Sequence, residues 1–137
     1  MTAWSNNYIG IPRVQAGRSR AGVDCYGLLW LVYREVLGLE LASYAGESVD
    51  APERVEIARL VECGRSASPW REVSPGAERE FDMVVFRRGR IADHVGLVLA
   101  PGCMLHVVDE TGVYRETFSS GRWRGRLVAL HRHEALA

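Results

Sequence analysis

Three side chains in this sequence suit acyl-transfer chemistry: one cysteine, Cys25, and two histidines, His94 and His106. A thiolate attacks a carbonyl carbon readily. An imidazole beside it can take and return the proton, and a second polar group can hold that imidazole in the useful tautomer. Cys25 begins an apolar stripe of Cys25, Leu28, Leu29, Val32 and Val36, spaced i, i+3, i+4, i+7 and i+11. That spacing predicts a helix over about 24–37, with Asp24 as its cap and Gly38 after its last turn. The unpaired N–H groups and positive dipole end of a first helical turn favour a thiolate at Cys25. Taken alone, a cysteine on an apolar stripe is more often a small buried hydrophobe.

The histidines change that balance. They lie on consecutive predicted strands joined by Ala100-Pro101-Gly102. With those three residues as the loop, Leu99 faces Cys103 and His94 faces Val108. Residues 94, 106 and 108 share parity, so His94 and His106 project from one face as diagonal neighbours, roughly 7–8 Å apart between Cα atoms. Val95, Leu97, Leu99, Leu105 and Val107 take the other face as the expected core. The helix carrying Cys25 is expected to dock on the histidine side. An isolated pair of histidines on a hairpin would more simply be surface or hydrogen-bonded groups; the combination with Cys25 favours a catalytic set.

The elements that must position these residues read as α first and β second. From Asn6 to Asp24 the chain is polar, rich in glycine and arginine, and interrupted by Pro12, which predicts an irregular lead-in. The 24–37 helix follows. A second helix is expected from Pro52, through Val55, Ile57, Ala58, Leu60 and Val61, to near Gly64. Arg65 to Glu80 reads as a loop with one short extended piece around Trp70 to Val73. Five runs rich in β-branched and aromatic residues come next: Met83 to Phe86, His94 to Leu99, Met104 to Val108, Val113 to Thr117 and Leu127 to His131. The expected class is α+β, with N-terminal helices packed on an antiparallel sheet of about five strands.

Length and composition bound the rest. A chain of 137 residues makes one compact domain, 1–137, with a real core. Seventeen basic residues balance seventeen acidic ones, so no global field draws the chain onto nucleic acid or an anionic membrane. All the basic residues are arginine, which excludes a Schiff base or a P-loop phosphate grip. No stretch approaches 18 continuous apolar residues and the N-terminus has no basic run before an apolar one, so neither a membrane anchor nor a secretion signal is expected. Free thiols are expected from three cysteines.

Other residues are weighed against simpler roles. Cys103 and His106 form a C-x-x-H pair, but on a strand they face opposite sides, which works against joint zinc ligation. No metal or cofactor is expected. His131-Arg132-His133 reads as a polar surface strand, and Cys63 as packing. Trp4, Trp30, Trp70 and Trp123 read as core or interface anchors. Arg122, Arg124 and Arg126 around Trp123 suit either a solvated edge or contact with a partner or an anionic wall polymer.

Taken together, Gly22-Val23-Asp24-Cys25-Tyr26-Gly27-Leu28, Trp30-Leu31-Val32-Tyr33-Arg34-Glu35, Asp82-Met83-Val84-Val85-Phe86, His94-Val95-Gly96-Leu97-Val98 and Met104-Leu105-His106-Val107 resemble the NlpC/P60 peptidases. The similarity covers roughly residues 6–132 and is nearest to the branch found in the tails of phages and gene transfer agents. It implies a papain-like α+β core that cleaves peptide bonds in the stem peptides of bacterial peptidoglycan. Cys25 would be the nucleophile, His94 the general base and His106 the residue orienting it. The branch further implies a tail-tip component of a phage-like particle, partnered by other tail-tip or hub proteins, made in the bacterial cytoplasm and opening the wall for DNA delivery. A structural tail component, or an enzyme passing the acyl group to an amine or alcohol, stays compatible with the same residues. Where many members have a tyrosine shortly before the cysteine, Gly10-Ile11-Pro12 is followed here by Arg13. Its fork suits a substrate carboxylate, and equally a solvated loop. Asp24 and Tyr26 join Arg13 as candidates for substrate binding or oxyanion support. Phe81 stands before Asp82 where the family usually has glycine, implying a local change at the start of that strand.

Overall fold

The computed structural model describes residues 3–41, 70–88, 91–108 and 111–136. The helix expected between Pro52 and Gly64, and Cys63 with it, lie outside the described residues.

The lead-in is tied down by more than turns. A four-residue helix, α1 (Ala3–Asn6), precedes a two-stranded ribbon of β1 (Arg18–Ser19) and β2 (Gly22–Val23). Gly10 N–H donates to Val113 O at 2.9 Å, and Val113 N–H to Ile11 O at 2.9 Å. The segment before the cysteine is thereby stitched to the far edge of the sheet. Asp24 caps α2 (Cys25–Val32), its carboxylate accepting from Gly27 N–H at 2.6 Å. Seven of the eight residues of α2 are buried, so this helix is central rather than amphipathic. The expected helix length is found, but Tyr33–Leu37 is wound as a π-helix before Gly38 stops it at φ 68°. The wider turn rotates the stripe: Tyr33 is fully buried while Val36 is 37% exposed, so Val36 falls off the expected apolar face.

Among the described residues six strands form the main sheet, close to the five or so expected, in the order β3-β8-β4-β5-β6-β7 and with every described pairing antiparallel. They are β3 (Trp70–Val73), β4 (Met83–Arg88), β5 (Ile91–Ala100), β6 (Cys103–Val108), β7 (Gly112–Thr117) and β8 (Leu127–His133). The sixth is the short extended piece at Trp70, which pairs with the C-terminal strand. The β5–β6 turn is tighter than expected. Ala100 pairs with Cys103 across Pro101-Gly102, with Gly102 at φ 78°, and a slip at Leu99 returns the register to Val98↔Met104 and Leu97↔Leu105. One bulged residue offsets one residue fewer in the loop, which is why the expected parity of the histidines survives.

Alternation then sorts the two faces. Met83, Val85, Val95, Leu97, Leu99, Leu105, Val107 and Val113 share one core with Cys25, Leu28, Leu29, Leu31 and Val32. Val84, Phe86, Val98, Met104, Phe118, Trp123 and Leu130 form a second core on the other face. Helix α2 therefore covers the Val95 face, and the expectation that it docks on the histidine side is corrected. The physical reason is that a helix buried nearly all round needs the larger apolar surface, whereas the histidine face is closed by Phe86, Phe118 and Trp123. The C-terminal strand is corrected as well. His131 is only 3% exposed, and the His133 ring packs on Trp70 at 5.3 Å and Tyr33 at 5.9 Å, so this is no polar surface strand.

Before β4, Phe81 adopts φ 76°, the left-handed region that favours glycine. A phenylalanine tolerates it because its ring stacks on Trp4 at 5.0 Å, its N–H donates to Val98 O at 2.8 Å, and its carbonyl accepts from the Tyr33 hydroxyl. Beside it, buried Asp82 accepts two bonds from Arg132, at 2.8 and 2.7 Å. In thermal unfolding, Phe81→Gly is expected to be less destabilising than Phe81→Ala by about 1 kcal/mol. Both lose the stacking on Trp4, but only glycine relieves the backbone; equal losses would show that the left-handed turn is unstrained.

Candidate active site

Cys25 occupies the first position of α2 and is 3% exposed; it and Cys103 are both free thiols. The start of that helix is built by Asp24, whose carboxylate also accepts from Ala16 N–H at 3.0 Å and pairs with Arg18 Nη1 at 2.9 Å. These bonds account for Asp24 as the cap. Gly27 has a separate reason to be glycine, since a Cβ there would stand 2.1 Å from Gly17 O. The ribbon can thus press against the first turn of the helix. Tyr26 is 3% exposed, with the Arg18 guanidinium 5.5 Å from its ring centre. Arg13 makes a parallel β-bridge to Val23, two residues before the cysteine.

The histidines are brought together as their parity requires. Nε2 of His94 and Nδ1 of His106 are 2.8 Å apart, inside the protein. Just before His94 the β4–β5 register shifts between Phe86↔His94 and Arg87↔Ala92, and the β4–β8 register shifts next to Phe86 as well. Bulges on both sides of Phe86 re-aim this corner of the sheet. Gly96, the glycine after His94-Val95, leaves room behind it: a Cβ would lie 2.8 Å from Met104 Sδ and 3.5 Å from His106 Cβ.

Two further residues belong to this cluster that the sequence reading does not assign to it. Trp123, from the 3₁₀ turn Gly121–Arg126, lies parallel to the His94 ring at 5.0 Å and 14° and edge-on to His106 at 5.4 Å. Glu116 on β7 is 2.9 Å from His106 Nε2. The same carboxylate accepts from the Tyr114 hydroxyl, from Trp123 Nε1 at 2.9 Å, and from Arg122 Nε and Nη2 at 3.2 Å each. Arg122, grouped above with a solvated or partner-binding edge, is therefore bound to the site. A signal for Glu116 did exist: His106 pairs with Tyr114, so Glu116 is a diagonal neighbour on the same face. Cys103 packs toward the α2 core while His106 faces the other way, and among the described residues no three His, Cys, Asp or Glu side chains gather as a metal set.

The electrostatics follow from burial and donors. Burial acts to raise the pKa of Glu116, but the hydrogen bonds from Arg122, Tyr114, Trp123 and His106 outweigh it and bring the group to about 2. Burial pushes His106 below its ordinary value, against the pull of Glu116, so the ring is held neutral.

Comparison with known proteins places this geometry. The profile of the NlpC/P60 family matches residues 10–132. The chain is 28% identical over 117 residues to the murein DD-endopeptidase MepS/murein LD-carboxypeptidase of Escherichia coli K12, a match covering 85% of this chain and 53% of that protein. It thus spans about half the length of the curated relatives it matches. Among solved structures, the NlpC/p60 domain of the peptidoglycan hydrolase SagA superposes with a TM-score of 0.64 at 20% identity, covering 96% of this chain and 94% of that one. An NLP/P60-family lipoprotein-like protein of Staphylococcus aureus superposes with a TM-score of 0.68 at 23% identity, over 96% of this chain and 39% of that one. At those identities the structures speak to the fold.

Both site groups have folded-state pKa values below their unfolded ones, so each adds stability that is present at higher pH and lost on acidification. For His106 the loss begins as pH falls below 6.5, and for Glu116 it runs from about 4.5 toward 2. Urea unfolding at a series of pH values should show falling midpoints from pH 7 to 5, and His106→Asn should flatten that slope. An unchanged slope in the variant would remove His106 from the acid response.

Proposed function

The chain belongs to the NlpC/P60 family, and from that premise we propose that it is a cysteine peptidase acting on the stem peptides of bacterial peptidoglycan. The observation that carries this is the hydrogen bond between two buried imidazoles, in a fold whose central helix begins at a cysteine. In the proposed mechanism Cys25 is the nucleophile, His94 its base and His106 the orienting residue. Because α2 covers the Val95 face, the proposal requires the thiol to reach His94 from the first turn of the helix, not from its flank. Proton transfer from Sγ to His94 gives a thiolate–imidazolium pair, favoured further by the helix dipole. The thiolate adds to the amide carbonyl, and the oxyanion is met by backbone N–H groups at the start of α2, that of Cys25 among them. The imidazolium then protonates the departing amine, leaving a thioester that water hydrolyses with His94 again as base.

Arg13 and Tyr26 beside this stretch are proposed to line the substrate side, Arg13 offering its fork to a peptide carboxylate. A murein endopeptidase and carboxypeptidase among the relatives supports the substrate class. The setting we propose is narrower: the tip of a phage-like or gene-transfer-agent tail, where the enzyme opens the wall locally beside other hub proteins. The blocks quoted around Asp24-Cys25, His94-Val95-Gly96 and His106 support that placement by their resemblance to the tail branch.

With purified peptidoglycan and mass spectrometry of the released products, the protein should free peptide fragments that Cys25→Ala does not. Cys25→Ala and His94→Ala should each fall by at least about 10³-fold in kcat. Equal inactivity of the protein and Cys25→Ala would overturn hydrolysis and favour a structural tail component, the role that Arg13 in the tyrosine's place keeps open. Products carrying a new amine or alcohol would instead identify an acyltransferase. Proteomic analysis of purified tail particles, with the chain absent, would remove the tail placement alone.

A further inference from the structure

Four donors converge on Glu116, and each constrains where protons sit further in. We propose that Glu116 is a positioning residue: by accepting the Nε2 proton of His106 it fixes that ring's tautomer, and through it makes Nδ1 the basic nitrogen of His94. The inference rests on the proposed roles of Cys25 and His94 and extends them by one residue.

The steps are set by hydrogen-bond complementarity. An ionised carboxylate accepts and never donates. Glu116 is held ionised by Arg122, Trp123 and Tyr114, so the 2.9 Å contact with His106 requires the proton on His106 Nε2. A neutral imidazole with its proton on Nε2 has its lone pair on Nδ1. The 2.8 Å contact between that Nδ1 and His94 Nε2 then requires His94 to carry its proton on Nε2. The lone pair of neutral His94 is left on Nδ1. When the thiol proton transfers, the S–H bond breaks and an Nδ1–H bond forms; the His94 imidazolium keeps donating through Nε2 to His106, which is backed by a carboxylate. Without Glu116, His106 can carry its proton on Nδ1 and donate to His94 Nε2, which drives the His94 proton onto Nδ1 and blocks the base. Tyr114 packs against the His106 ring at 5.0 Å in a tilted arrangement and stays protonated, burial and Glu116 both raising its pKa. Arg122 closes the chain from the solvent side, its side chain 52% exposed. Trp123 prevents ring rotation by lying flat on His94.

The test combines histidine tautomers with kinetics. In long-range ¹H–¹⁵N spectra of the ¹⁵N-histidine protein near neutral pH, without substrate, His106 should show the neutral Nε2–H form, and His94 should carry a proton on Nε2 both as imidazolium and, above the basic limb, as neutral imidazole. Glu116→Gln keeps the side-chain shape and should give His106 a mixture of tautomers. It should lower kcat about 10- to 100-fold with little change in KM. It should also move the basic limb of the kcat/KM profile to lower pH, since the imidazolium loses a supporting negative charge. Glu116→Asp should recover part of the loss, and Arg122→Ala, which leaves the carboxylate in place, should keep the Nε2–H form of His106. Folded Glu116→Gln with unchanged tautomers and an unmoved basic limb would overturn the inference while wild-type wall hydrolysis still upheld the peptidase proposal. The expected tautomers in a protein that never releases wall peptides would uphold the relay and defeat the peptidase proposal.

Discussion

A polar group can stay inside a protein only if its hydrogen-bonding atoms find partners, and two imidazoles placed edge-on to one another make that demand at four nitrogens at once. The contact between His94 and His106 satisfies one nitrogen of each ring. Glu116 answers the outer nitrogen of His106, and its own oxygens must then be answered, which brings in Tyr114, Trp123 and Arg122. The 3₁₀ turn Gly121–Arg126 is thereby anchored over the histidine face, with Trp123 closing the second core alongside Phe86 and Phe118. Packing and polar satisfaction coincide in this layer, and a chain of hydrogen bonds through the accepting Glu116 leads from solvent at Arg122 to the ring of His94.

The cysteine is positioned by an independent device. Asp24 is buried and collects donors from the helix, from Ala16 and from Arg18, so the first turn of α2 is attached to the ribbon before it. Gly27 and Gly17 allow backbone to approach backbone at that point, and the same lead-in is stitched to β7 through Gly10, Ile11 and Val113. Helix start and histidine strands are thus parts of one hydrogen-bonded frame although α2 and the imidazoles lie on opposite faces of the sheet. That arrangement suits a site whose reacting atoms must be held within fractions of an ångström.

Irregularities cluster on the strands that carry the histidine face. Registers slip at Leu99, before His94 and beside Phe86, and Phe81 holds a left-handed backbone that leads into β4. Phe81 is braced by stacking on Trp4, and Asp82 beside it by the ion pair with Arg132. Strain and bulges of this kind persist where the surroundings over-determine them.

What the amino-acid order determined by itself are the features of short range. The cap at Asp24, the helix through Leu37, the strands and the shared parity of His94 and His106 follow from periods of 3.6 and 2, which neighbouring residues enforce without reference to the rest of the chain. Even the mistaken three-residue turn left the parity intact, because the lost loop residue reappeared as a bulge at Leu99. Tertiary structure decided everything that depends on which distant surfaces meet. It put α2 on the Val95 face, made the Trp70 strand a sixth member of the sheet, buried His131, packed His133 on Trp70 and Tyr33, and drew Arg122 from an apparent surface cluster onto Glu116. These outcomes turn on competition between whole faces for apolar cover and between buried acceptors for donors. Such competition is settled only once the chain has closed on itself, since no single segment contains both sides of it.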